Sequence, residues 1–194
     1  MNDLLTPFFS IFLSNIVNEE NVSDFDPINL TPDQMEELES LCYWCLTKLI
    51  ERIQDHYTFS QPGIQRQIVN LKNLMLRVEP AIVKQLDAEN VEFLQFGFRW
   101  MNCLLIREFQ LNQIIRIWDT YLSEGKDAFS NFHLYVCAAY LQRYKDKIIK
   151  NDFVGIMTAL QNSETMTGRD IESMLSQAFV WSSQFSTSGH LQQQ

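Results

Sequence analysis

Apolar residues recur at intervals of three and four along most of this chain, the spacing that lines up side chains on one face of a helix. Leu4, Leu5, Phe8, Phe9, Phe12, Leu13, Ile16 and Val17 form the first such stripe. They predict a helix ending near Val17, in the acidic, turn-rich linker NEENVSDFDPIN. Thr31-Pro32-Asp33-Gln34 then reads as a helix start, with Thr31 as cap, Pro32 at the first helical position and Gln34 closing a capping box. The helix it opens carries Leu38, Leu41, Cys42, Cys45, Leu46, Leu49 and Ile53 on one face and stops in the loop HYTFSQPG.

A third helix is expected from about Ile64 through Ile68, Leu71, Leu74 and Val78, broken by Pro80, with a short piece around Ile82 and Leu86. A long aromatic helix is expected over roughly Val91 to Glu108. Another comes in LNQIIRIWDTYLSEG, with Asn112 as cap and Gly125 beyond its end. Phe129 to Tyr144 makes the next, Lys145 to Lys150 reads as a polar turn, and shorter helices run from Asp152 to Leu160 and from Thr167 to Trp181. No repeat and no convincing strand emerges, so the pattern predicts an all-α fold of eight or nine helices of unequal length.

Composition agrees with that reading. The 194 residues are 46% hydrophobic, with only 6 Gly and 5 Pro, too little turn material for a many-stranded sheet. The length suits one domain, or one large lobe of a bigger domain. The net charge of −9 is unevenly spread. Residues 1–47 contain nine acids and no Lys or Arg, whereas the rest balances fifteen acids with fifteen bases. An acidic face repels nucleic-acid phosphates and anionic lipid, which points to a protein partner. No stretch offers eighteen uninterrupted apolar residues, so no transmembrane segment is expected. Asp3, Pro7 and Ser10 argue against a signal peptide at the start.

Chemistry-bearing patterns are few. Cys42-Tyr43-Trp44-Cys45 has the spacing of a zinc or redox pair, but no second pair stands at suitable spacing and no βαβ pattern surrounds it. Both cysteines fall on the apolar stripe, so they read as structural thiols, and no metal site is expected. His56, His133 and His190 are scattered, and His133 flanks an apolar helix as a core histidine would. No phosphate-binding glycine loop occurs. The dense region is FRWMNCLLIREFQLNQIIRIWDTYL, residues 98–122, where Arg99, Arg107, Glu108, Arg116 and Asp119 are embedded among apolar residues. Buried charges need partners. The pattern therefore predicts either ion pairs that lock helices together or a charged surface that receives a partner. Trp118 is expected on a buried stripe with Ile114, Ile115 and Leu122, and Asp119 is expected to pair across helices with Arg107 or Arg99.

FRWMNCLLIREF with IIRIWDTYL after it resembles the C-terminal signature of the TBC-domain GTPase-activating proteins for Rab GTPases. MNDLLTPFF is similar to the segment immediately after that family's Tyr-x-Gln-Gly motif, and YWCLTKLIERIQDHYTFSQPGIQ resembles the subfamily associated with the Golgi. The resemblance extends from Met1 to about Gln161. It implies an irregular multi-helix TBC fold, here mainly the C-terminal lobe, with a partial Rab-GAP domain over 1–183 and a polar tail, disordered by composition, over 184–194. It also implies a dual-finger mechanism. An Arg from Ile-x-x-Asp-x-x-Arg stabilises charge developing on the transferred phosphoryl group, and the Gln of Tyr-x-Gln orients the attacking water.

The sequence departs from the family at that place. It contains no Ile-x-x-Asp-x-x-Arg, and its only Tyr-x-Gln is Tyr140-Leu141-Gln142, which lacks the Gly-Met-Asn-Asp expected next. No catalytic residue is therefore assigned, and the chain is expected to begin just after the glutamine finger. By resemblance, Asn2 and Asp3 lie beside the groove that receives the GTPase. Arg99, Trp100, Arg107, Glu108, Arg116, Trp118 and Asp119 hold the lobe together or touch the partner. GTP and Mg²⁺ belong to the partner, and the chain has no cofactor of its own. The implied setting is cytoplasmic, with room for peripheral membrane association at the Golgi. A finger-less helical adaptor that binds a GTPase or another protein without catalysis is the alternative.

Overall fold

The computed structural model of the chain describes residues 2–18, 22, 25–162 and 165–186. Ten α-helices and three short 3₁₀ turns occur among the described residues, with no strand among them. The chain divides between Arg52 and Ile53 into two compact units.

The first unit is a helical pair, α1 (Asn2–Val17) and α2 (Pro32–Arg52). Its core is Leu13, Leu38 and Cys42, wrapped by Leu5, Phe9, Phe12, Ile16 and Leu30. The capping box forms as the sequence specifies. Thr31 N donates to Gln34 Oε1 at 3.0 Å, and Gln34 N donates to Thr31 Oγ1 at 3.3 Å. The stripe on α2 is narrower than expected, because Leu41 is exposed and Cys45 is only half-buried. Burial raises both thiols above their ordinary pKa, so they stay protonated at neutral pH.

The second unit is larger. It contains α3 (Pro62–Val78), α4 (Pro80–Ala88), α5 (Phe93–Asn102), α6 (Leu111–Ser123), α7 (Asn131–Arg143), α8 (Lys145–Lys150), α9 (Phe153–Gln161) and α10 (Gly168–Ser186). The central helix is α7, buried on almost every side through Phe132, His133, Val136, Cys137, Ala138, Ala139, Tyr140 and Leu141. Helices α3 and α10 pack against it, and α5 packs on α3. A chain of aromatic contacts, Phe93–Phe96–Trp100–Tyr140–Tyr144, joins α5 to α7 with centroid spacings of 5.0–5.4 Å.

Four local expectations need correction. The long aromatic helix stops at Asn102. Leu104 and Leu105 then turn with φ of 49° and 65°, the left-handed region that usually calls for glycine. Both leucines are fully buried, so tertiary burial outweighs the local backbone cost. Helix α6 begins earlier than Asn112: Gln110 is the cap, its box closed by Gln113 N→Gln110 and by Gln110 N donating to Gln113 Oε1 at 3.2 Å. Lys145–Lys150 is a short helix rather than a polar turn, seated by buried Ile148. Leu122 is exposed, and the inward stripe of α6 is Ile114, Ile117, Trp118 and Tyr121. The helix count among the described residues is also one above the upper expectation. Helix α10 runs to Ser186, so Gln184 lies inside it, while 187–194 fall outside the described residues.

Candidate functional site

The signature region 98–122 folds as α5, the left-handed Leu104–Leu105 turn, a 3₁₀ turn at Ile106–Glu108, and α6. The double turn reverses the chain tightly enough to bring Glu108 back under the end of α5. Leu105 N donates to Trp100 O at 3.1 Å and Glu108 N donates to Leu105 O at 2.9 Å, which closes the reversal.

Arg99 meets Glu108 through two parallel bonds, Nε to Oε1 at 2.6 Å and Nη2 to Oε2 at 2.9 Å. The Glu108 side chain is 0% exposed and that of Arg99 34%. A bidentate guanidinium–carboxylate pair is the geometry in which burying a carboxylate is tolerable. Arg99 Nη2 also reaches Gln161 O at 3.4 Å, tying the end of α9 to the pair.

Trp118 is buried, and its Nε1 donates to Leu104 O at 3.3 Å, so α6 holds the carbonyl of the strained turn. Trp100 is fully enclosed; its indole Nε1 has no hydrogen-bond partner. Its carbonyl accepts from His133 Nε2 at 3.2 Å, which fixes the tautomer, so His133 Nδ1 accepts from Tyr121 Oη at 2.9 Å. Burial, assisted by nearby His56, pushes His133 down to about 3. A ring so deeply buried and so hard to protonate is a structural bridge between α5, α6 and α7.

The remaining charges face outward. Asp119 is exposed and belongs to none of the ion pairs among the described residues, which corrects the expected partnership with Arg107 or Arg99. The acid that Arg99 takes is Glu108, because the left-handed turn, invisible as a pattern, puts residue 108 rather than residue 119 beneath α5. Arg116 pairs with Glu172 of α10 at 2.8 and 2.9 Å and with Thr120 Oγ1 at 2.6 Å, all at the surface. Arg107 is exposed. On α1, Asn2 is exposed and Asp3 half-buried.

Sequence reasoning missed Tyr57, whose Oη donates to Asn102 O at 2.6 Å and seals the open end of α5 from the preceding loop. It named His56 only as one of three scattered histidines and missed its burial beside Tyr57, which holds the ring below its ordinary pKa. Both stand in a polar loop with no periodicity to mark them. The lone Tyr-x-Gln, at 140–142, is placed in α7 with Tyr140 buried and hydrogen-bonded to Tyr144 Oη at 2.8 Å. No group of three or more His, Cys, Asp or Glu side chains able to hold a metal occurs among the described residues. No helix among them is long and apolar enough to cross a membrane. The one thiol beside His133, Cys137 Sγ at 3.4 Å from Nε2, is buried and its pKa is raised by burial, and that nitrogen already faces the Trp100 carbonyl; chemically the arrangement is a clamp that fixes the α5–α6 corner.

Comparison with known proteins gives this clamp its context. Residues 1–149 match the Rab-GTPase-TBC domain. GTPase-activating protein gyp1 of Schizosaccharomyces pombe is 46% identical over 97% of this chain, which spans 37% of that protein. TBC1 domain family member 22B of Homo sapiens is 48% identical over 86% of the chain, which spans 33% of it. The chain thus spans little more than a third of the curated relatives it matches. The crystal structure of the Ypt/Rab-GAP domain of Gyp1p superposes with a TM-score of 0.89 and 45% identity, covering 95% of this chain and 59% of that one. Agreement this broad, in sequence and in fold together, means that the chain belongs to the Rab-GTPase-TBC domain family.

Proposed function

We propose that this chain is part of a GTPase-activating protein that binds a Rab-family small GTPase in vesicle trafficking. The match over 95% of the chain to the Ypt/Rab-GAP domain of Gyp1p, at 45% identity, supports this most strongly. In this reading the α5–α6 clamp keeps the lobe rigid. Asn2 and Asp3 flank the groove that receives the GTPase, and GTP with its Mg²⁺ is carried by the partner. The likeness of the Tyr43–Gln65 stretch to the Golgi-associated subfamily supports a cytoplasmic protein working peripherally at that membrane.

Stimulation of hydrolysis requires the Arg and Gln fingers that the resemblance implies. Neither motif stands in this sequence in usable form, since Gln142 belongs to a packed helix. That observation favours a second reading for the chain taken alone: a helical module that holds a GTPase without accelerating it. Single-turnover GTP hydrolysis across a Rab panel separates the two. The chain alone is expected to leave the rate unchanged. The chain joined to a preceding segment that carries both finger motifs is expected to raise it by about 10³–10⁵-fold. Clear stimulation by the chain alone overturns the assignment of the fingers to another segment. No stimulation by the joined protein overturns the GTPase-activating reading.

A further inference from the structure

A cleft of about 470 Å³ lies between α1 and α2 in the first unit, lined by Phe12, Asn15 and Ile16 from one helix and by Gln34, Glu37 and Leu41 from the other. Positions 34, 37, 41 and 44 follow at intervals of three and four on α2, so Trp44 continues the same row beyond the cleft. Leu41 is 38% exposed and Trp44 62%. Tyr43, also 62% exposed, meets the Trp44 ring edge-on at 5.4 Å. Exposed apolar side chains grouped around a cleft mark an interaction site, and Trp and Tyr are the residues that most often anchor one.

The charge along this face is negative and unopposed. Asp33, Glu36, Glu37 and Glu39 are exposed on the first two turns of α2, and none belongs to an ion pair among the described residues. Lys48, the first cation in the chain, is engaged by Glu51 at 2.9 Å. Residues 1–47 hold nine acids and no Lys or Arg. The rest of the chain balances fifteen acids with fifteen bases, so a second copy brings no surplus of positive charge to this face.

An apolar cleft with an aromatic end and a rim whose charges are all negative complements a helix that has one apolar face flanked by lysines or arginines. The row from Gln34 to Trp44 is about 15 Å long, enough for a helix of roughly three turns. We infer that the α1–α2 face is a docking surface for a basic amphipathic helix of a partner protein. The apolar side chains of that helix seat against Leu41, Trp44 and the cleft, while its cations meet Glu36, Glu37 and Glu39. The inference goes beyond the proposed GTPase contact and does not depend on hydrolysis.

The test is fluorescence anisotropy of the full chain with a labelled peptide of about fourteen leucines and lysines, patterned so that the leucines form one helical face. The peptide is expected to bind, more weakly as salt rises, and about ten-fold or more tighter than a scramble of the same composition. Leu41→Ser with Trp44→Ser, and separately Glu36→Gln, Glu37→Gln and Glu39→Gln together, should each weaken binding about ten-fold or more while thermal melts stay unchanged. Binding of both variants at the wild-type level, or no binding of the wild-type chain, overturns the surface. Equal binding of the scramble overturns the helical occupant. Loss of peptide binding when the chain is joined to a preceding segment that carries both finger motifs overturns the partner protein, because that segment then fills the cleft. Self-association of the chain that the same variants abolish overturns it in favour of a second copy.

Discussion

Arg99 and Glu108 share an ion pair but not an environment, and this makes their loss unequal. Removing Arg99 leaves a carboxylate with no exposed side-chain surface, whereas removing Glu108 leaves a guanidinium already one-third in water. Arg99→Ala is expected to cost about 3–5 kcal/mol. Glu108→Ala should cost clearly less, with the difference read from urea midpoints. Equal costs would show that Arg99 gains nothing from its partial exposure. Asp119→Ala, by contrast, should stay within about 0.5 kcal/mol of wild type, since its side chain is exposed.

At the scale of elements, two glycines in the second unit should respond to alanine with opposite signs. Gly63 lies in the first turn of α3, where an added Cβ would overlap the Asp55 carboxylate and the His56 ring. The Asp55 carboxylate, half-exposed in its pair with Arg66, has room to shift, but the His56 ring is buried and does not. Gly63→Ala should lose about 1–3 kcal/mol by overpacking. Gly97 sits inside α5, where an added Cβ would meet only Ile68 Cγ1 at 3.7 Å, an ordinary contact. Gly97→Ala should gain about 0.5–1 kcal/mol from helix propensity. Thermal melts of the two variants check both. A destabilised Gly97→Ala would mean that the α3–α5 interface is tighter than its distances indicate.

Across the whole molecule, the buried histidines make stability depend on pH. His133 titrates near 3 in the fold against an ordinary 6.5, and His56 is also lowered, both mainly by burial. Below about pH 6.5 the unfolded chain takes up protons that the native state refuses, so stability is full above that pH and falls as pH drops toward 3. His133 alone should remove about 2 kcal/mol between pH 7 and pH 5. Denaturant titrations at those two pH values measure the loss, and His133→Gln should flatten it. A wild-type chain equally stable at both would show that the ring takes its proton without leaving the core.

The all-α class, the capped start of α2 and the buried Trp118 were legible in the sequence because each rests on local information: periodicity, a side-chain cap, an apolar stripe. The family signature was legible for a related reason, since its residue order survives without any knowledge of contacts. The end of α5 was not legible. Leu104 and Leu105 carry no glycine or proline to announce a left-handed turn, and only the burial of both side chains, with Trp118 holding the Leu104 carbonyl, makes that conformation favourable. The same turn decided which acid meets Arg99. Spacing along the chain pointed to Asp119 as the partner of Arg99 or Arg107, and the three-dimensional reversal put Glu108 inside and left Asp119 in water. The sequence by itself determined most of the helical segments, α8 and the end of α5 excepted, and the family they compose. The tertiary structure decided which charges are buried, because a side chain's partner is set by where the backbone turns, and here the turn is stabilised by contacts distant in sequence.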